Sequence, residues 1–191
     1  MTHRRLLAAL SLLLLTACST VQGASVLSRS RGKVQPYDGE LEAASRSAML
    51  YSGFDRVMTV SITLMTPAYQ GALDAELERL ARAEVRESLG LEAPPAEGLD
   101  LVLFLDGRDP AWEDLEDRSS TFRVELLEGE RATPATLVRR LDEEDPTLRH
   151  LFPQVGDFGR LYRLRAAGVS SSAGELSVRI AGAPGDLVVG F

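Results

Sequence analysis

Residues 99–105 read LDLVLFL, with leucine at every odd position and Val102 and Phe104 between them. A strand with one face in water alternates apolar and polar residues, whereas a strand apolar on both faces has to be covered on both. This segment therefore predicts a central strand with structure packed above and below it. The Pro/Gly loop EAPPAEG that precedes it marks where the strand begins.

The flanking sequence supplies further strands and one cover. Between Phe54 and Thr66, the apolar Met58, Val60, Ile62 and Leu64 alternate with Thr59, Ser61 and Thr63, the period of a half-buried strand. The period then changes. Thr66 and Pro67 fit a helix cap followed by a first-turn proline. Leu73, Leu77, Leu80, Ala81 and Val85 form an apolar stripe, and Gly90 is a natural stop, which predicts one amphipathic helix of about five turns. Shorter strands are expected near 121–127, 136–141, 160–166, 175–181 and 187–191. Leu176, Val178 and Ile180, then Leu187, Val189 and Phe191, alternate around Pro184-Gly185-Asp186 and predict a terminal hairpin. The fold expected from this pattern is mainly β (α+β): an antiparallel β-sandwich with one long amphipathic helix after the first strand. An immunoglobulin-like version is one option. Its tyrosine-corner pattern begins at Asp157-Phe158-Gly159-Arg160, with the tyrosine one place late at Tyr162.

The N-terminus has a different character. His3, Arg4 and Arg5 precede an apolar run from Leu6 to Leu15, then Thr16, Ala17 and Cys18, the only cysteine of the chain. This is the build of an export signal, and the run is about half the roughly 20 residues a membrane span needs. Leu15-Thr16-Ala17-Cys18 resembles the lipobox of bacterial lipoprotein precursors. The resemblance implies that residues 1–17 are a removed signal peptide and that Cys18 is lipidated. Ser19 stands where an aspartate would retain such a protein in the inner membrane, so the resemblance implies the outer membrane. Two or more acyl chains would make that anchor stable. Residues 18–48, rich in Ser, Gly, Arg and Ala, then read as the lipidated N-terminus and a flexible tether, whose last 30 or so residues reach on the order of 30 Å. Residues 49–191 read as a single globular domain. Within it, the stretches LLEGERATPATLVRRL, LRHLFPQVGDFGRLYRLRAAG and ELSVRIAGAPGDLVVGF also resemble the C-terminal part of uncharacterised lipoproteins from high-GC Gram-negative bacteria, a likeness that implies no particular activity.

A search for chemistry returns little. The formal charge of −7 excludes nucleic acid as a partner, because its phosphates reward positive charge. With Cys18 lipidated no thiol remains for a disulfide, so stability has to come from a packed core. A Ser-His-Asp hydrolase needs a base beside its nucleophile. His150, in LRHLFP, reads as a loop histidine at the rim of the core. The loop GVSSSAG fails the nucleophile-elbow pattern, because Gly168 suits Ser170 but Ser172 occupies the second glycine position. Ser30-Arg31-Gly32-Lys33 has serine and lysine at β-lactamase spacing but no companion motif. No zinc pair, phosphate loop or dinucleotide fingerprint is present, so no metal, cofactor or catalytic set is expected.

The acidic run DGRDPAWEDLED raises the question of calcium, but Arg108 and Pro110 occupy places where an EF-type loop needs oxygen ligands. Its simplest reading is local structure: Asp109 caps, Pro110 starts a short helix, and Trp112 and Leu115 share a buried face. Trp112, Asp106 and Asp109 are also the candidate contacts for a partner or ligand, since tryptophan among charges is a common anchor. The function expected is that of an outer-membrane lipoprotein, bound to the membrane through Cys18, with a non-catalytic binding or structural role toward an envelope protein or glycan. The alternative is an envelope hydrolase or glycan-processing protein using paired carboxylates of loop 106–117.

Overall fold

The computed structural model describes residues 36–83, 85–91, 97–170 and 175–191. The lipobox, with Cys18, and residues 19–35 of the expected tether lie outside the described residues.

The strands are β1 (Ser45–Ser52), β2 (Asp55–Leu64), β3 (Leu99–Gly107), β4 (Phe122–Glu128), β5 (Arg131–Leu141), β6 (Arg160–Ala166), β7 (Leu176–Gly182) and β8 (Gly185–Gly190). They form one antiparallel sheet in the order β1-β2-β3-β6-β5-β4-β7-β8. The sheet curls until β8 comes back against β1, so it is a nearly closed barrel rather than the expected sandwich. The immunoglobulin-like option finds no support in this strand order. One physical reason for the curl lies in β5. Its first residues pair with β4 as far as Pro134, and from Ala135 onward it pairs with β6. Proline has no N–H to extend a ladder, so β5 leaves one neighbour and joins the other at that point.

Period-two alternation sorts the side chains into two layers. Val60 and Ile62 of β2, Leu101 and Leu103 of β3, Leu164 of β6, Leu126 of β4 and Val178 and Ile180 of β7 fill the barrel interior. An eight-stranded barrel is just wide enough for side chains to fill it. Val102 and Phe104 point the other way. They join Leu141 and Leu161 under α1 (Pro36–Ala44), α2 (Pro67–Arg79) and α4 (Pro146–Leu151). Strand β3 is thus covered on both faces, as its composition predicts.

Asp100 interrupts that apolar run and is fully buried, on the outer face beneath the connection that links β2 to β3. Arg163 Nε reaches its Oδ2 at 2.9 Å and Arg165 Nε its Oδ1 at 2.6 Å. Arg163, itself 1% exposed, also donates to the carbonyl of Gly90, tying the connection to the sheet.

The helical cover differs from expectation. The single five-turn helix is two pieces, α2 and the short α3 (Val85–Ser88). The cap at its start is as predicted, with Thr66 Oγ1 accepting the Tyr69 N–H. At its end the N–H of Ala81 bonds the carbonyl of Glu78 and the N–H of Arg82 that of Leu77. This is a Schellman stop, with Ala81 at φ 52° in the left-handed position. Because alanine rather than glycine occupies it, the sequence does not announce the break.

Residues 36–48, read as the end of a tether, are helix α1 and the first part of β1. The folded body therefore begins by Pro36, and α2 follows the second strand, not the first. Tyr37, Leu41 and Ala44 are buried on one face of α1, and the Tyr37 hydroxyl donates to the carbonyl of Leu151 at 2.6 Å. Strand β1 escapes a hydrophobicity reading because serines serve it. Ser45 pairs its hydroxyl with Thr63, and Ser47 with Ser61, each at 2.7 Å across the β1–β2 ladder.

Strands β1 and β8 close the barrel without a backbone ladder between them among the described residues. Side chains bridge the gap instead. Arg46 lies over the Phe191 ring at 5.5 Å, and Leu50 covers Gly185, where a Cβ would stand 3.0 Å from Leu50 Cδ2.

Candidate functional site

In the Greek-key path two connections skip over neighbouring strands, β3 to β4 and β6 to β7. The first, residues 108–121, runs from β3 to β4 across the same end as the β1–β2 and β7–β8 turns. It carries the acidic run and Trp112.

The cap and short turn expected at Asp109 and Pro110 are present, and further bonds hold the crossover in place. Asp109 Oδ1 accepts the Ala111 N–H at 3.0 Å and caps a 3-10 turn, Pro110–Trp112. Glu113 Oε1 accepts the Gly107 N–H at 3.1 Å, and Asp114 accepts the Thr121 N–H at 3.0 Å and the Ser120 hydroxyl at 2.9 Å. The Tyr162 hydroxyl, rising from β6, donates to the carbonyl of Glu113 at 2.8 Å. Trp112 is half-buried. It meets Phe122 edge to face at 6.4 Å and packs with Leu115 against the barrel interior.

Beside Trp112 lies an open groove of about 600 Å³, bounded by Asp55 and Val57 of β2, Arg108 and Thr121 of the crossover, and Pro184 of the last turn. Arg108 Nη1 pairs with Asp55 Oδ2 at 2.8 Å, and both side chains are mostly exposed. The indole N–H of Trp112 has no acceptor among the described residues and is not buried. Of the three candidate contacts, only Trp112 lines the groove. Asp106 is held by Arg56 at 3.0 Å, and Asp109 serves as a cap. Asp55, Arg108 and Pro184 were beyond sequence reasoning, because the crossover and the two turns meet only through the topology.

A second polar cluster sits beneath the crossover. Arg160 Nη1 bonds Glu143 Oε1 at 2.6 Å, and its Nε is 4.0 Å from Glu113 Oε2. Burial pushes the Glu113 carboxyl up. Burial acts in the same sense on Glu143, but a bond from its own backbone N–H, followed by those from Arg160 and Arg140, outweighs it and holds its carboxyl down.

His150 is on helix α4, not in a loop. Its Nε2 is 2.8 Å from Oε1 of Glu76, a buried carboxylate that Arg79 also grips with two bonds of 2.7 and 2.6 Å. The Arg79 bonds, with His150 adding to them against the cost of burial, lower the Glu76 pKa to about 2. Ser170 offers its N–H to Glu128 Oε1 at 3.2 Å, and the neighbouring residues 171–174 lie outside the described residues. No group of three or more His, Cys, Asp or Glu that could hold a metal occurs among the described residues.

Comparison of the chain with protein-family models, curated proteins and solved structures gives no match.

Proposed function

We propose that this chain is an outer-membrane lipoprotein, held to the bilayer through Cys18, whose barrel has a non-catalytic binding role in the cell envelope. The observation that carries the binding role is the groove at the barrel's end, which Trp112 lines together with Asp55, Val57, Arg108 and Pro184. The acidic residues around it fit this role better than catalysis, since Asp109 and Asp114 are used up in holding main-chain N–H groups. The address rests on Leu15-Thr16-Ala17-Cys18 and the leader before it.

Two measurements test the proposal. In a Gram-negative host, labelled palmitate should enter the protein and sediment with outer membrane, and Cys18→Ser should lose both. A photo-crosslinking amino acid at position 184, beside the groove, should yield envelope adducts that the same group at position 130, on the β4–β5 turn, does not. A soluble, unlabelled product with equal crosslinking from both positions would overturn the reading.

A hydrolase reading has one observation in its favour, the opposite displacement of Glu113 and Glu143 across Arg160, which is how environments divide acid from base. It moves the chemistry away from Asp106 and Asp109. Glu113→Gln should then abolish a turnover that Asp109→Asn leaves intact.

A further inference from the structure

We propose that the groove beside Trp112 is a saccharide site that takes a neutral, polyhydroxylated ring. The inference rests on the binding reading above and adds the class of ligand. Four features of the groove point to it. Trp112 lines the groove and is held in place by its T-shaped contact with Phe122, and an aromatic side chain at such a place suits the C–H groups of a sugar. Its N–H has no protein acceptor among the described residues. At the rim, Asp55 and Arg108 offer an acceptor and a donor side by side, which matches hydroxyl groups that both give and receive hydrogen bonds. Finally, the two rim charges cancel and the chain as a whole carries −7, so nothing at the groove attracts a polyanion. Small-ligand sites commonly combine an apolar floor with a few convergent polar groups in this way.

Trp112 is the only tryptophan of the chain, so its fluorescence reports on the groove alone. Titration of the full chain in detergent with chitotetraose, and separately with cellotetraose, should shift or quench that emission saturably with at least one of the two. Arg108→Ala alters an exposed side chain and leaves the core intact. It should weaken the calorimetric affinity about tenfold, the effect of one charged hydrogen bond. Trp112→Phe should abolish binding, with the circular dichroism spectrum retained as the check that the barrel has folded. A flat fluorescence trace with both sugars, or affinity unchanged in both variants, would overturn the assignment. If both sugars fail while position 184 still gives specific adducts, the binding reading stands and the ligand class falls. If the adducts fail too, both fall.

Discussion

The wall of the barrel around β3 and β6 and the wall where β1 meets β8 are built from the same kind of strand and held in opposite ways. At β3 each strand edge is laddered to a neighbour and both faces are covered, the outer one by three helices and by the ion triad of Asp100, Arg163 and Arg165. At the seam the closing edges carry no ladder among the described residues, and Met49, Tyr51 and Val188 stand exposed on the outer faces. The contrast teaches that burial, not strand propensity, decides how firmly a stretch of this sheet is fixed. Hydrogen bonds in the β3 wall are shielded from water, whereas the seam depends on a few side-chain contacts.

The sharpest way to break this contrast is at Asp100. Asp100→Ala leaves Arg163 buried without its counter-charge and should cost about 3–5 kcal/mol in urea unfolding, far more than any change at the seam. Glu76→Gln, in the helical cover of the same wall, should cost about 1–3 kcal/mol at neutral pH. Because Arg79 and His150 hold the Glu76 pKa near 2 instead of the usual 4.5, its contribution is complete above that usual value and fades as pH falls toward 2. The variant should therefore lose part of the acid limb of a stability-versus-pH curve. At the seam, Arg46→Ala removes the cation–π contact with Phe191 and should cost only about 0.5–1 kcal/mol. It should speed amide exchange in β1 and β8 while leaving β3 unchanged, and equal acceleration in all three would erase the distinction drawn between the walls. The smallest effect has the opposite sign. Ala81→Gly relieves a left-handed alanine at the end of α2 and should stabilise by about 0.5 kcal/mol, the relief being partly offset by the greater freedom of glycine in the unfolded chain.

All seven strands read from the sequence are present, because each carries alternation or a doubly apolar run that little else produces. Strand β1 was hidden because an edge strand paired through serine hydroxyls shows little hydrophobicity. Helix α1 was legible in principle, since Tyr37, Leu41 and Ala44 recur at i, i+4 and i+7, but Gly39 and the polar run before it made a tether the simpler reading. Asp100 stands inside a segment that reads as apolar on both faces, so the sequence drew no attention to it. Its partners Arg163 and Arg165 are two apart in β6 and so share a face, yet only the pairing of β3 with β6 shows that they meet it. At the candidate site, Asp109 and Trp112 were readable from local rules of capping and helix spacing. The groove was not, because three turns far apart in sequence form it.

The strands that meet at the seam are the first and last of the barrel. The cylinder therefore cannot shut until its final hairpin has formed, and no piece that stops short of β8 could complete it. A chain wound in this way makes its closing contact between the two strands that lie farthest apart along it.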